Sequence, residues 1–149
     1  MPKNGGLKMK KEGCPYCNGG EALAKFGVLA FKTEVSQVIV FKDQSHKGRC
    51  IVAYDLDHKG EICELDEENR AKFLADVNDV AVALHKAYKP TRLNYGAYGD
   101  TLGHLHFHLV PKYEDGFEWG GTFQMNTGNY ASDNDINEVV NTLKANFRK

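Results

Sequence analysis

Long hydrophobic runs and a large excess of charge of either sign are both absent from this chain of 149 residues. No apolar stretch approaches the roughly 20 residues that a membrane-spanning helix needs, so no membrane partner is predicted. The formal net charge of −1 gives no electrostatic argument for a nucleic-acid partner. Hydrophobic residues make up 42% of the chain and charged residues 26%, fractions that are typical of a folded globular protein.

The N-terminus lacks the apolar core of a signal peptide, because residues 1–12 are polar and rich in lysine. We expect these twelve residues to form a flexible tail and residues 13–149 to form a single domain. Only four cysteines are present. In a chain of this length without an export signal they do not suggest a disulfide framework, so a cytoplasmic protein is predicted.

The order of hydrophobic patterns predicts an α+β fold. Segments rich in β-branched and aromatic residues predict strands at 28–33, 37–41, 50–54, 93–98 and 104–111. Apolar residues at helical spacing predict a long helix from Asp66 to about Lys89 and a C-terminal helix capped by Ser132 or Asp133. Three strands, a helix, two strands and a closing helix favour a mostly antiparallel five-stranded sheet.

Three histidines at every second position are the most informative feature of the sequence. On a strand, alternate side chains share a face, so His104, His106 and His108 form one row with neighbours roughly 7 Å apart. Imidazole is largely neutral near pH 7, and a nucleophilic histidine can divide a phosphoryl or nucleotidyl transfer into two easier steps. A metal site and a row of surface histidines without function are the two alternative interpretations.

A second motif lies near the N-terminus, where Cys14 and Cys17 have the spacing of two ligands of a tetrahedral zinc ion. Two unrelated thiols are the alternative. A thioredoxin-like redox role is not favoured, because no βαβ pattern follows the two cysteines.

Together these residues resemble the histidine triad (HIT) superfamily of nucleotide hydrolases and transferases. The similarity extends from about residue 14 to residue 111, and it includes Asn94-Tyr95-Gly96, Gly99-x-Thr101 and His58. The resemblance implies a HIT-like fold, a homodimer and a purine nucleotide substrate. It further implies hydrolysis or transfer at the α-phosphate of nucleoside phosphoramidates or dinucleoside polyphosphates, with no catalytic metal.

The resemblance also implies roles for individual residues. His106 corresponds to the nucleophile, which forms a covalent nucleotidyl-histidine intermediate. The other catalytic residues that it implies are His108, Thr101 and Asn94. The nucleotide-binding residues that it implies are Asp43, Phe41, Asn94, Thr101 and His108, with Asp43 on the ribose and Phe41 near the base.

A bacterial, zinc-containing branch of the superfamily is similar to this chain at the cysteine motif. That resemblance implies that His58 and His104 complete a four-ligand zinc site with Cys14 and Cys17. Four protein ligands leave no open position for water, so this zinc would be structural.

Two positions depart from the family pattern. Asp100 stands where glutamine is usual, and Cys50 stands where many relatives carry a histidine. A carboxylate near a phosphate repels it. These departures favour an alternative, a nucleotide-binding module with weak or lost catalysis. A metal-dependent hydrolase that uses all three histidines of the row as ligands is a further alternative.

Overall fold

The computed structural model describes residues 9–149. Residues 1–8 of the predicted flexible tail therefore lie outside the described residues. At the start of the described chain, the Met9 nitrogen donates a hydrogen bond to Asp57 Oδ1 at 3.1 Å. The Met9 carbonyl accepts one from the nitrogen of His58 at 3.0 Å. These two bonds join the N-terminal segment to the loop after the third strand.

Five strands form one antiparallel sheet, which confirms the predicted α+β architecture. The strands are β1 (Gly27–Lys32), β2 (Ser36–Phe41), β3 (Cys50–Tyr54), β4 (Arg92–Gly96) and β5 (His106–Lys112). Their order in the sheet is β1-β2-β3-β5-β4. Ile51 pairs with His108, and Ala53 pairs with His106. β5 therefore carries two of the three histidines, and it lies between β3 and β4 inside the sheet.

Two helices cover one face of the sheet. Residues 55–66 connect β3 to α3 (Glu67–Tyr88). Asp66 accepts a bond from the nitrogen of Asn69 at 2.8 Å and caps this helix as predicted. Ser132 caps α4 (Asp133–Asn146) in the same way. Apolar side chains of both helices pack against β1, β2, β3 and β5 in the main hydrophobic core. Within residues 9–149, no helix combines the length and apolar character required to cross a bilayer.

The opposite face of the sheet carries a smaller apolar cluster under two short helices that the sequence patterns did not predict. These are α1 (Pro15–Asn18) and α2 (Gly20–Ala24). The cluster contains residues of the N-terminal segment and of β2 and β3, namely Cys14, Tyr16, Cys17, Leu23, Ile39, Phe41, Ile51 and Ala53. The cysteine motif is thus folded onto the face from which the histidines project.

The prediction of one strand through all three histidines is wrong for the first of them. β5 begins at His106, and His104 lies in the bend before it. Its nitrogen bonds the carbonyl of Leu102 at 2.8 Å, and the next nitrogen, of Leu105, bonds the carbonyl of Lys59. Leu105 still accepts a bond from the nitrogen of Tyr54 at the end of β3, but the backbone at His104 bends and is not part of the strand.

Candidate functional site

The orientation of the His106 ring is fixed by one hydrogen bond. Its Nδ1 lies 2.6 Å from the carbonyl oxygen of His104. Because a carbonyl oxygen only accepts, Nδ1 carries the proton and Nε2 keeps its lone pair. Burial lowers the pKa of His106, against a smaller raising effect of the same hydrogen bond. The ring is therefore a neutral imidazole at pH 7, and Tyr16 stacks on it with ring centroids 4.8 Å apart.

His108 lies beside His106, with ring centroids 5.3 Å apart. Burial, the charge of Arg49 and the neighbouring His106 together lower the pKa of His108 to about 3. Phe41, Phe123 and Tyr98 also face this ring. His108 is consequently neutral across the physiological pH range.

A cavity of about 440 Å³ lies in front of the two histidines, within the roughly 300–1,000 Å³ that small-molecule sites occupy. One part of its wall is apolar and the other carries hydroxyl, carboxyl, amide and imidazole groups. The lining residues are Tyr16, Phe26, Phe41, Tyr98, Asp100, Thr101, Leu102, His106, His108, Met125 and Asn126. The structure thus brings four predicted site residues together: His106, His108, Thr101 and Phe41.

A second cavity, of about 630 Å³, adjoins the first one. The two cavities share Tyr98, Asp100 and His106 as lining residues. Glu61 and Glu64 add two more carboxyl groups to the second cavity. His106 therefore stands between an aromatic compartment and an acidic one.

Asp43 and Asn94 are two predicted site residues that line neither cavity. Asp43 is fully buried. Its Oδ1 accepts bonds from the nitrogen and Oγ of Ser45, and its Oδ2 accepts bonds from the nitrogen and Oγ1 of Thr127. Burial raises the pKa of Asp43, but these hydrogen bonds outweigh it and hold the pKa below its usual value. Both oxygens thus accept hydrogen bonds within the protein, and the ribose contact implied for Asp43 stays a prediction. Asn94 lies on β4 opposite Val110.

The structure also changes the interpretation of Cys50. Its side chain is fully buried in the core under the helices, and burial raises its pKa to about 12. The preceding residue, Arg49, instead contacts His108 on the other face of the sheet. Sequence reasoning missed Arg49, although period-two alternation along β3 would have assigned it to the face of Ile51. Tyr16, the residue that stacks on His106, was missed as well.

The four predicted metal ligands meet in one cluster. The ligand atoms of Cys14, Cys17, His58 and His104 all lie within 4.8 Å of one another. His104 Nδ1 is 3.4 Å from each of the two sulfur atoms and 3.2 Å from His58 Nδ1. In a tetrahedron with zinc–ligand bonds of about 2.3 Å to sulfur and about 2.0–2.1 Å to nitrogen, the corresponding edges are about 3.6 and 3.4 Å. The spacing fits a tetrahedral zinc site.

The tautomer of His104 supports the same assignment. Its Nε2 lies 2.7 Å from the carbonyl oxygen of Tyr54, so Nε2 carries the proton and Nδ1 presents a lone pair to the cluster. Metal-binding histidines commonly donate their second N–H to such an acceptor, which fixes the ring. Two cysteine thiolates and two imidazole nitrogens are one of the donor sets of structural zinc sites. The residues present therefore fit this ion.

A single metal ion held by all three histidines does not match this geometry. His104 Nδ1 faces the cysteines, whereas His106 Nδ1 bonds the His104 carbonyl and His108 Nδ1 faces Arg49. Within residues 9–149, the ligand cluster contains only the first histidine of the row. The three imidazoles thus have separate surroundings.

No family model and no curated protein matches this chain, but solved structures do. A histidine triad protein from Bradyrhizobium japonicum is 21% identical with a TM-score of 0.77, over 86% of this chain and 96% of that one. A histidine triad (HIT) protein from Sinorhizobium meliloti is 21% identical with a TM-score of 0.79, over 86% and 95%. A Zn-bound histidine triad family protein from Mycobacterium smegmatis is 18% identical with a TM-score of 0.58, over 80% and 82%. The chain therefore has the histidine triad fold.

Proposed function

We propose that this protein is a nucleotidyl hydrolase or transferase that acts at the α-phosphate of nucleoside phosphoramidates or dinucleoside polyphosphates. The observation that carries the proposal is the bond from His106 Nδ1 to the His104 carbonyl. It leaves the Nε2 lone pair on a neutral ring that lines the cavity. A neutral, oriented imidazole is the form that nucleophilic catalysis requires.

The proposed reaction has two steps. Nε2 of His106 attacks the α-phosphorus, a P–N bond forms, and the bond to the leaving amine or nucleotide breaks as that group takes up a proton. Water then cleaves the P–N bond, which releases the nucleoside monophosphate and restores His106. Thr101 and His108 line the same cavity, and we assign them to stabilise the charge that develops on the phosphoryl oxygens.

The nucleoside would occupy the apolar compartment. Phe26, Phe41 and Met125 line it, and they offer a surface for a purine ring. The leaving group would then point toward the second cavity, which shares His106 with the first.

The zinc site is also part of the proposal. Cys14, Cys17, His58 and His104 would hold one zinc ion, whose contribution is structural because no ligand position remains for water. It would fix the N-terminal segment to the residue that receives the His106 hydrogen bond.

We further propose a cytoplasmic homodimer in which residues 13–149 form one domain. The edge strand β4 and its exposed Tyr95 support an interface at that side of the sheet. Size-exclusion chromatography with light scattering tests it, and a monomer at micromolar concentration would contradict it.

His106→Ala tests the proposed chemistry, and His85→Ala is the matched control, because His85 is an exposed histidine on α3. Both variants are incubated with adenosine phosphoramidates and diadenosine polyphosphates. We expect His106→Ala to lose about a thousandfold or more in turnover and to lose the nucleotidyl adduct detected by mass spectrometry. Turnover retained in His106→Ala, with an unchanged melting temperature, would refute the proposal.

A nucleotide-binding module with weak or lost catalysis is the second candidate. The exposed carboxyl group of Asp100 favours it, because this group lines both cavities beside His106 and repels a phosphate. Calorimetric binding of AMP by a protein that forms no adduct with any substrate of the panel would support this candidate.

A further inference from the structure

Arg49 is a buried cation in an unusual environment. It is 1% exposed, and none of the ion pairs found within residues 9–149 includes it. Its Nε has no hydrogen-bond partner among the described residues. The guanidinium lies between two aromatic rings, 4.1 Å from the centroid of Phe41 and 4.9 Å from that of Phe123. Burying a charge without an ion-pair partner is costly, so the other contacts of the guanidinium must offset this cost.

Those contacts connect the cavity wall to a histidine of the row. Nη1 donates to the carbonyl of Gln124, and Nη2 donates to the carbonyl of Met125, each at 3.0 Å. Met125 and the next residue, Asn126, line the cavity. Nη2 also lies 3.4 Å from Nδ1 of His108. The Arg49 side chain thus contacts both Met125 and His108, two residues that line the cavity.

The chemistry of the two groups leaves a single assignment for the shared proton. A guanidinium has donors and no acceptor. Burial lowers the pKa of Arg49 to about 10, with Asp43, Glu118 and Tyr98 raising it, so the group stays charged at pH 7. His108 Nδ1 must therefore accept, and the proton of the neutral ring must lie on Nε2.

We propose that Arg49 is a positioning residue that locks His108 in the Nε2–H tautomer and holds the segment with Met125 and Asn126 against the cavity. The locked ring presents a permanent hydrogen-bond donor, which is what an anionic phosphoryl oxygen requires. The consequence for catalysis rests on the proposed function, whereas the tautomer itself does not.

Nitrogen-15 NMR of the histidine rings tests the tautomer directly on the nucleotide-free protein. The His108 signals are assigned by their loss in His108→Gln. We expect an unprotonated Nδ1 and a protonated Nε2 at all pH values between 5 and 8. A proton on Nδ1, or a ring that gains charge in that range, overturns the proposal. This measurement requires no Arg49 variant to fold.

The variant Arg49→Met then identifies the cause. We expect the Nδ1–H tautomer of His108 to become populated and the pKa of the ring to rise by about one unit, since a neighbouring positive charge has been removed. The other titratable groups near His108 are His106 on the same strand and Tyr98 and Asp100 in the loop after β4, and they are unchanged in the variant.

Phe123→Leu is the matched control, because it loosens the same packing and keeps the guanidinium. We expect its His108 tautomer to match that of the wild type. Equal changes in Arg49→Met and Phe123→Leu would show that packing alone determines the tautomer, and would overturn the proposal. Absence of a His106 adduct in the wild type would refute the proposed function but leave this result standing.

Discussion

The replacement of Asp43 by asparagine separates two roles for this residue, a ribose contact and a structural anchor. The four hydrogen bonds to its carboxylate measure 3.1 and 2.8 Å from Ser45, and 2.5 and 2.7 Å from Thr127. An asparagine amide has one acceptor oxygen, so two of the four donors lose their partner. A bond to a charged group contributes about 1.5–3 kcal/mol. Allowing for relaxation of the surface segment at Thr127, we expect Asp43→Asn to lower the free energy of unfolding by about 3 kcal/mol.

Urea unfolding measures this loss, provided that the m-value stays constant. Asp115→Asn is the control, because Asp115 is exposed and its φ of 71° suits asparagine; it should change the stability by less than about 0.5 kcal/mol. A double-mutant cycle with Thr127→Val should give a coupling energy of about 1 kcal/mol or more.

The pH dependence provides an independent check. The folded-state pKa of Asp43 lies below the unfolded value of about 3.9. Its contribution is therefore fully present above that unfolded pKa and is lost as the pH falls through the lowered folded pKa. The stability difference between the wild type and Asp43→Asn should be constant from pH 8 to about 5 and shrink below about 4. A loss under 1 kcal/mol, combined with a changed preference for ribose over 2′-deoxyribose substrates, would refute the anchor role.

Three further perturbations follow from the structure. Elemental analysis should find about one zinc per chain. Chelation or Cys17→Ser should lower the melting temperature by at least about 10 °C, because the ligand cluster joins distant segments. A well-folded, metal-free protein would contradict the zinc site. Asp100→Asn should raise kcat/KM about two- to fivefold, since it removes a repulsion of about 0.5–1 kcal/mol between the carboxylate and the substrate phosphate beside His106. An unchanged or lower kcat/KM would contradict this repulsion. Gly48→Ala should lower the free energy of unfolding in urea by about 1–3 kcal/mol. Gly48 has a φ of 95°, and an added Cβ would lie 2.8 Å from Tyr88. An unchanged free energy of unfolding would contradict this steric argument.

Local patterns were sufficient for much of the fold. The β-branched and aromatic residues of β2 and β3, the periodicity of α3 and the caps at Asp66 and Ser132 are signals that extend over only a few residues. Such signals gave the α+β architecture and most element boundaries. The short helices α1 and α2 carry too few residues for a periodic signal, and their position on the sheet depends on contacts with β2 and β3.

The candidate site was likewise predictable from the sequence only in part. The histidine row and the Cys-x-x-Cys spacing predicted the type of chemistry, and the four metal ligands that resemblance suggested do meet in the structure. The row did not predict that His104 leaves the strand. That departure accompanies a turn bond from the nitrogen of His104 to Leu102 and a bond from the nitrogen of Leu105 to Lys59, a residue distant in the chain.

By itself, the sequence determined the residue types and their spacing along the chain. That spacing was sufficient to predict the strands, the helices and the position of His106 and His108 on the same face of one strand. Only the tertiary structure decided which protons those imidazoles carry, because tautomers depend on acceptors and donors that folding brings close. Arg49 reaches His108 across 59 positions, and Asp43 is enclosed by Thr127 across 84. Contacts between residues so far apart in the chain produce no periodic pattern in the sequence, because only the packing of the folded chain brings these residues together.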